Sequence, residues 1–285
     1  MFSLFEKTAA DCSKHITGIY STSFSLGIKT LSHKYREPIY AIYGMVRYAD
    51  EIVDTFHDYD KKYLLQKFKK DTYEAIEQKI SLNPVLHSFQ KAVNRHNIPL
   101  GLIDAFFKSM EMDLYETAYG EESYNEYIYG SAEAVGLMCL KIFTGKDSQA
   151  YENLIGPARA LGAAFQKVNF LRDMKSDYQE RGRVSFPGTD FQDFKEQTKL
   201  KIEEEIASDF QLAYKGIIQL PTGARGGVLL AYKYYIGLFN RIKRVPVSRM
   251  KEARIRVPDL HKLYLLAETL VQQQFSQLLV SRPIE

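Results

Sequence analysis

The sequence predicts a single all-α domain with an aromatic-lined interior. Apolar residues recur at helical spacing along most of the 285 residues, and no alternating strand pattern or hairpin signal competes. The chain has only nine prolines, no long Gly/Ser/Pro linker and no internal repeat, so residues 1–285 are treated as one domain. Twenty tyrosines and seventeen phenylalanines within a 45% hydrophobic composition supply a large core rich in rings.

Helical segments are expected in order along the chain. The first begins near Pro38, because proline suits the first turn of a helix, and continues past Asp54. Further helices are expected at 60–80, 84–96, 101–119, 122–145 and 148–179, the last bent at Pro157. After a loop at 180–190, we expect helices at 191–217, 226–243 and 259–280, with a basic loop at 244–258.

Composition excludes several classes of protein. Thirty-eight Lys and Arg against 35 Asp and Glu give a net charge of +3, which is too small for a nucleic-acid binder. The two cysteines, Cys12 and Cys139, form no metal-type spacing and favour a reducing compartment. The first residues carry acids and lack a signal-type apolar run, and no stretch has the roughly 18 apolar residues of a spanning helix. We therefore expect a cytoplasmic protein.

Two rows of polar side chains stand out in otherwise apolar helices. Tyr43, Arg47, Asp50 and Asp54 are spaced 4, 3 and 4, and Gln166, Asn169, Asp173 and Asp177 are spaced 3, 4 and 4. Residues four apart differ by about 40° around a helix, so each row shares one face. We name these rows the first stripe and the second stripe.

A polar stripe on a core-type face is costly unless it borders a wet or ionic cavity. Paired carboxylates suit Mg²⁺, which takes oxygen ligands, keeps waters and is completed by substrate phosphates. Arg47 and Arg172, beside the acids, are then interpreted as forks for phosphate. The competing interpretation, an ordinary solvated acidic pair, fits either stripe alone but not both in apolar surroundings. Glu51 lies off the stripe and is expected in solvent. The Met110-Glu111-Met112-Asp113 run is interpreted as core residues with a surface acid.

These segments resemble the squalene/phytoene synthase family of head-to-head prenyl transferases. The resemblance is carried by DEIVD at 50–54, QKVNFLRDMKSD at 166–177 and RGRVSFP at 181–187. STSFSLG at 21–27, YGSAEAVGLM at 129–138 and ARIRVPDLHKL at 253–263 extend it in the same order over most of the chain.

The resemblance implies an all-α isoprenoid-synthase fold with a central cavity, and it assigns roles to residues on both walls. Asp50 and Asp54 on one wall, and Asn169, Asp173 and Asp177 on the other, are the expected ligands of Mg²⁺, with Mn²⁺ as an alternative. The metal–diphosphate cluster is expected to contact Arg47, Gln166, Asn169, Arg172 and Arg254, with Lys262 as a weaker choice. The residues expected to line the reacting centre are Ser21, Phe24, Tyr43, Tyr129 and Tyr234.

The sequence departs from the family pattern at two positions. Ser185 stands where the family often has tyrosine, so the role of that tyrosine is lost or passes to Tyr178. Glu133 stands where glycine is usual, which implies a local difference in helix packing.

The implied reaction joins two prenyl diphosphates through a cyclopropylcarbinyl diphosphate to a linear hydrocarbon. Three products remain open: phytoene from two C20 units, squalene from two C15 units with NADPH, and dehydrosqualene from two C15 units without it. The VGLM and RGRVSFP segments favour phytoene and carotenoid biosynthesis, and small Gly27 and Ile28 would leave room for longer tails. Because the product is water-insoluble, peripheral contact with the inner face of the membrane is an alternative location. The oligomeric state stays open.

Three rival classes are disfavoured. A non-catalytic helical assembly factor of this fold would be expected to lose the acids, and all four are present. Head-to-tail prenyl transferases and terpene cyclases usually have adjacent aspartates in their first motif, whereas Asp50 is followed by Glu51. A di-iron bundle needs Glu-x-x-His pairs, and none stands at a suitable helix position.

Overall fold

The computed structural model describes residues 2–115, 118–182 and 184–252. These residues form helices and connecting loops without any strand, and the only β-type pairing among them is one parallel bridge between Ala118 and Val184. The predicted all-α class is therefore confirmed. The helix expected at 259–280 lies outside the described residues. No helix in the described ranges is both long and apolar enough to cross a membrane.

The helices are numbered in chain order, with one π-helical segment between α7 and α8. Their bounds are α1 Phe2–Tyr20, α2 Thr22–Thr30, α3 His33–Asp54, α4 Lys61–Gln78, α5 Pro84–His96, α6 Leu100–Tyr115, α7 Glu121–Ile128, the π segment Tyr129–Glu133, α8 Ala134–Thr144, α9 Ser148–Arg181, α10 Glu196–Ile217, α11 Thr222–Lys243 and α12 Val247–Met250.

Several helix ends differ from the sequence expectation. Helices α1, α2 and α12 were not predicted, and α3 begins at His33, so that Pro38 lies inside it rather than in its first turn. Helix α10 begins at Glu196 instead of residue 191. The side chain of Asp190 accepts a hydrogen bond from the Gln192 N–H at 2.7 Å, and such a local turn competes with helix formation.

Two buried clusters form the interior. One joins α3, α4, α5, α6 and α8 around rings such as Phe89, Phe106 and Phe107, which are fully buried. The other joins α7, α9, α10 and α11 around Leu171, Phe210 and other apolar side chains. Burying one such large side chain contributes about 1.5–3 kcal/mol, so each cluster strongly fixes the helices that it joins.

Helices α3, α2, α11 and α9 pack one on the next and connect the two clusters. Helix α2 packs on both α3 and α11, and α11 packs on α9. The α2–α11 crossing is close because Gly27 and Gly227 face each other: a Cβ on Gly227 would lie 2.6 Å from the Gly27 carbonyl oxygen. The small size of Gly27 therefore serves helix packing, and the expectation that it leaves room for a longer substrate stays a prediction.

Candidate active site

The first stripe lies on the half-buried face of α3. The opposite face of this helix buries Ile42, Met45 and Ala49 in the first cluster. Tyr43, Arg47, Asp50 and Asp54 are all partly buried and lie on the remaining side. Burial of one face thus holds four polar side chains in a row at the edge of the interior.

Asp50 is the most strongly perturbed acid of this row. Burial first, and then the neighbouring Asp54 carboxylate, raise the pKa of Asp50 to about 7, while Arg47 opposes the shift. Asp113 of α6 raises it further, so a third carboxylate approaches from another helix. Asp113 in turn accepts hydrogen bonds from the hydroxyls of Tyr127 at 3.1 Å and Tyr119 at 3.4 Å. The site therefore holds excess negative charge in partly dehydrated surroundings.

The Arg47 guanidinium contacts three side chains, and its Nε–H remains available as a hydrogen-bond donor. Its guanidinium pairs with Glu51, lies 3.9 Å from Asp50 and stacks over the Tyr20 ring at 4.4 Å from the ring centroid. Its buried Nε has no hydrogen-bond partner among the described residues. The expectation that Glu51 lies in solvent is wrong, because its side chain is only 15% exposed and helps to orient Arg47.

The start of α2 fixes an aromatic ring beside this stripe. Ser21 is the N-cap of α2, and its hydroxyl accepts a hydrogen bond from the Phe24 N–H at 3.2 Å. The Ser21 hydroxyl also lies near the Tyr43 hydroxyl, and burial raises the pKa of Tyr43 to about 12. Ser21 thus joins a helix cap to the first stripe, which makes Tyr43 and Phe24 neighbours.

Phe24 links the two walls. Its ring centroid lies 5.9 Å from Tyr43 on α3, 6.2 Å from Tyr235 on α11 and 6.5 Å from Phe165 on α9. Phe165 and Tyr235 are themselves stacked, with centroids 3.8 Å apart. We call Phe24, Tyr43, Phe165 and Tyr235 the aromatic cluster. Through it, the helix of the first stripe and the helix of the second border one interior.

The second stripe on α9 is anchored to this cluster. The Tyr235 hydroxyl donates a hydrogen bond to Asn169 Oδ1 at 3.3 Å. Arg172 donates two hydrogen bonds to Asp173, from Nε to Oδ1 at 2.9 Å and from Nη2 to Oδ2 at 2.5 Å. Burial opposes its charge, but this contact raises the pKa of Arg172 above its ordinary value. Tyr234 lies beside them, with its ring 5.5 Å from that of Tyr235.

Asp177 lies near the end of α9, which Gly182 terminates. Gly182 adopts a left-handed conformation with φ of 60°, and its N–H bonds the Asp177 carbonyl to close the helix. Tyr178 is stacked on Phe191 at 4.2 Å, so its ring is held by the loop after the helix. Ser185, where the family often has tyrosine, is buried at 8% exposure.

Some expected site residues are not seen to join the cluster. Tyr129 lies on the π segment, where the Arg159 guanidinium lies over its ring at 5.3 Å from the centroid. Gln166 comes directly after Phe165 on α9 and is partly buried. Arg254 and Lys262 lie outside the described residues.

Three residues of the site are not singled out by the sequence pattern: Tyr235, Phe165 and Asp113. Tyr235 directly follows Tyr234, which is the residue that the resemblance places at the reacting centre. For Phe165 a signal exists, since it directly precedes Gln166 at the start of the second stripe. Asp113 is partly buried and approaches Asp50 only when α6 packs near α3, whereas the side chain of Glu111 in the same run is 40% exposed.

The acids suit a hard divalent cation, although the described residues contain no complete set of ligands arranged around one metal position. No group of three or more His, Cys, Asp or Glu in the described ranges is arranged to hold a metal ion. Asp50 and Asp54 repel each other, and a cation beside them would remove that repulsion. Mg²⁺ is commonly held by one or two carboxylates together with waters and substrate phosphates, so this donor pair fits it.

Known proteins share this fold and sequence pattern. The chain is 25% identical over 271 residues to a 4,4′-diapophytoene synthase of Staphylococcus haemolyticus, covering 86% of this chain and 91% of the relative. It is 30% identical over 194 residues to phytoene synthase 1 of Zea mays, covering 64% of this chain but only 45% of that longer protein.

Solved structures agree on the fold. A dehydrosqualene synthase in complex with a ligand matches with a TM-score of 0.79 at 20% identity, covering 94% of this chain and 98% of its own. Squalene synthase HpnC from Alicyclobacillus acidocaldarius matches with a TM-score of 0.74 at 18% identity, covering 84% and 94%. A model of the family described as squalene/phytoene synthase matches residues 19–261. Because this match spans most of the sequence, the chain belongs to the squalene/phytoene synthase family.

Proposed function

We propose that this protein is a Mg²⁺-dependent prenyl transferase that condenses two geranylgeranyl diphosphates head to head into phytoene. The intermediate is the cyclopropylcarbinyl compound prephytoene diphosphate. Family membership supports the reaction class. The observation that carries the proposal is the aromatic cluster, whose rings adjoin both acidic stripes.

Leaving-group binding is the first task of the residues. When bound, Mg²⁺ supplies Lewis-acid stabilisation of the departing diphosphate, and Asp50, Asp54, Asp173 and Asp177, with Asn169, would hold it. The unpartnered Nε of Arg47 offers a charge-assisted hydrogen bond to a diphosphate oxygen. Arg172 is pre-oriented by Asp173 and stands beside the same space.

Protection of the carbocation is the second task. Rings offer a negative face without a nucleophilic atom, and each cation–π contact contributes about 0.5–2 kcal/mol. Phe24, Phe165 and Tyr235 fit this role because they are packed together and exclude water. Each of the two stages releases one diphosphate and one proton, and the released diphosphate is the proposed proton acceptor, since neither stripe contains a His or Glu.

The substrate length is the finer part of the proposal. The VGLM and RGRVSFP segments favour the C20 substrate and hence carotenoid biosynthesis. The 4,4′-diapophytoene synthase that aligns over 91% of its length keeps the C15 alternative in view. A squalene product would require NADPH, and a location at the membrane surface would suit any of these water-insoluble hydrocarbons.

One assay tests the function. Purified protein is incubated with Mg²⁺ and labelled C20 or C15 diphosphate, with and without NADPH, and the extracted hydrocarbon is identified by mass spectrometry. We expect phytoene from the C20 substrate, independent of NADPH. Asp50→Asn and Asp173→Asn should abolish turnover, whereas Asp71→Asn, an exposed acid paired with Lys67 on α4, should keep it. Normal turnover in both stripe variants contradicts the proposal.

A further inference from the structure

The ion pair of Lys199 and Glu203 on α10 is buried, although it belongs to neither stripe. The two side chains are 4% and 5% exposed, and Lys199 Nζ lies 3.1 Å from Glu203 Oε1. Both charges lose their water on burial, so such a pair often adds little to stability compared with apolar side chains. A contribution to stability alone therefore does not explain why two charges are placed here.

The Lys199 ammonium holds the turn that follows α11. It donates hydrogen bonds to the backbone carbonyl oxygens of Lys243 at 3.2 Å and Val245 at 2.9 Å. Helix α11 ends at Lys243, and the last carbonyls of a helix lack partners within the helix and carry partial negative charge. With Glu203, the ammonium thus faces three oxygen atoms, and it fixes the direction in which the chain leaves α11.

Residues 244–252 continue from this turn through α12, and we call them the strap. The Glu196 carboxylate accepts a hydrogen bond from the Val247 N–H at 2.7 Å. Glu196 and Lys199 are three residues apart, so they lie on the same face of α10 and hold the start of the strap together. Val247 and Met250 are buried in the second cluster, and α12 packs on α9. The strap therefore connects α10 with the helix of the second stripe.

The last residue of the strap is bound to that helix beside its acids. Lys175 lies on α9 between Asp173 and Asp177. Its Nζ donates a hydrogen bond to the Glu252 carbonyl oxygen at 2.5 Å. This bond fixes the strap to the turn of α9 that separates the two acids.

A second contact links the strap to the loop after α9. Lys251 Nζ donates a hydrogen bond to the Gln192 carbonyl oxygen at 2.8 Å. The same ammonium lies 5.8 Å from the centroid of the Phe191 ring, which stacks on Tyr178. Because Tyr178 directly follows Asp177, the strap supports α9 both before and after this acid.

We propose that Lys199 is a positioning residue, which acts through the strap on the diphosphate-binding end of α9. The inference rests on the proposed function, in which Asp173 and Asp177 bind Mg²⁺ and diphosphate. The strap holds the last turns of α9 in place, so both acids keep a fixed position relative to the first stripe, and orientation of this kind favours reaction. If Lys199 only terminated α11, its loss would change stability without changing how diphosphate binds.

Three variants separate the two roles. Lys199→Met combined with Glu203→Leu replaces the pair with apolar side chains, so that no buried charge loses its partner while the bonds to the strap are removed. Glu196→Ala removes the other bond to the strap at an exposed position. Glu203→Gln is the matched control, because it changes the buried pair but keeps the ammonium and its two carbonyl acceptors. Circular dichroism checks that each variant is folded.

Two measurements on the full chain test the proposal. In hydrogen–deuterium exchange, the backbone N–H groups of residues 247–252 should exchange about ten-fold faster in the double variant and about three-fold faster in Glu196→Ala, because the strap opens more often. In calorimetric titration with magnesium diphosphate, the affinity should be about ten-fold weaker in the double variant and about three-fold weaker in Glu196→Ala, as is typical of residues that support metal ligands. Glu203→Gln should match the wild type in both measurements.

Faster exchange together with weaker binding, in the double variant and in Glu196→Ala, supports the positioning role. If the double variant does not fold, Glu196→Ala decides by the same two measurements. The proposal is overturned if exchange in the strap is unchanged, if magnesium diphosphate binds the variants as tightly as the wild type or does not bind the wild type, or if Glu203→Gln weakens binding equally. A wild-type protein that binds magnesium diphosphate but forms no hydrocarbon from C20 or C15 diphosphate contradicts the proposed function alone.

Discussion

Replacement of Asp50 by asparagine is expected to stabilise the metal-free protein while it abolishes turnover. In the folded state, burial together with Asp54 and Asp113 raises the pKa of Asp50 from 3.8 to about 7. A carboxyl group whose folded pKa exceeds its unfolded pKa destabilises the fold once it must ionise. The penalty is absent below about pH 4, grows between pH 4 and 7, and is complete above pH 7.

The size of the penalty follows from the shift. About three pKa units at 1.36 kcal/mol each give an upper value of about 4 kcal/mol. The Asp50 side chain is 31% exposed, so water screens part of the repulsion and we expect about half of that value. For a chain of this size, about 2 kcal/mol corresponds to a rise of roughly 4 °C in melting temperature.

The measurement is thermal unfolding in EDTA at pH 6 and pH 8. The melting temperature of Asp50→Asn should exceed that of the wild type by more at pH 8 than at pH 6. Asp71→Asn is the matched control, because its exposed pair with Lys67 contributes little and the melting temperature should stay within about 1 °C of wild type. An Asp50→Asn protein that melts at or below the wild-type temperature at pH 8 would refute the reasoning.

Three further predictions concern packing, the second stripe and pH. Gly227→Ala should lower the unfolding free energy by about 1–3 kcal/mol in urea titrations, because the new Cβ would contact α2. Gly101→Ala is the control and should not lower it, since the space around its Cβ is open. Equal effects of the two substitutions would contradict the close α2–α11 crossing. Tyr235→Phe should reduce kcat by several-fold with little change in melting temperature, because it removes only the hydrogen bond to Asn169; an unchanged kcat would show that this bond has no role. Burial lowers the pKa of His87, so the folded state resists protonation of this ring. The unfolding free energy should therefore be constant above about pH 6.5 and fall as the pH drops below that value. In urea titrations at about pH 5.5 and 7.5, His87→Leu should show a smaller difference between the two pH values than the wild type.

The helices that carry the stripes were predictable because burial imposes a period on the sequence. On α3, Ile42, Met45 and Ala49 recur at helical spacing, and the polar side chains between them reveal the opposite face. The family resemblance then supplied the expected fold, which the structure confirms. Sequence alone therefore predicted the two helices that carry the stripes.

The contacts between the walls were not predictable, because they depend on how helices cross. Nothing local to Asp113 indicates that α6 brings it near Asp50, and the proximity of Ser21 and Tyr43 depends on two different helices. The packing role of Gly27 is hidden for the same reason, since only the crossing with α11 shows that its missing side chain makes room for a backbone. Helix α2 itself was missed because its nine residues are too short for a clear period.

The arrangement explains why a costly site can persist in a stable protein. Two apolar clusters include residues of the helices that carry the stripes, and together they bury many large side chains. A penalty of about 2 kcal/mol at Asp50 equals the contribution of about one buried large side chain. Helices α3 and α9 each bury one face in an apolar cluster and carry a stripe on the other face. The packing energy that offsets the repulsion between Asp50 and Asp54 therefore also positions the acids. Relief of the repulsion by substitution or by a bound cation thus stabilises the same fold, but only the cation keeps the charge that the proposed reaction requires.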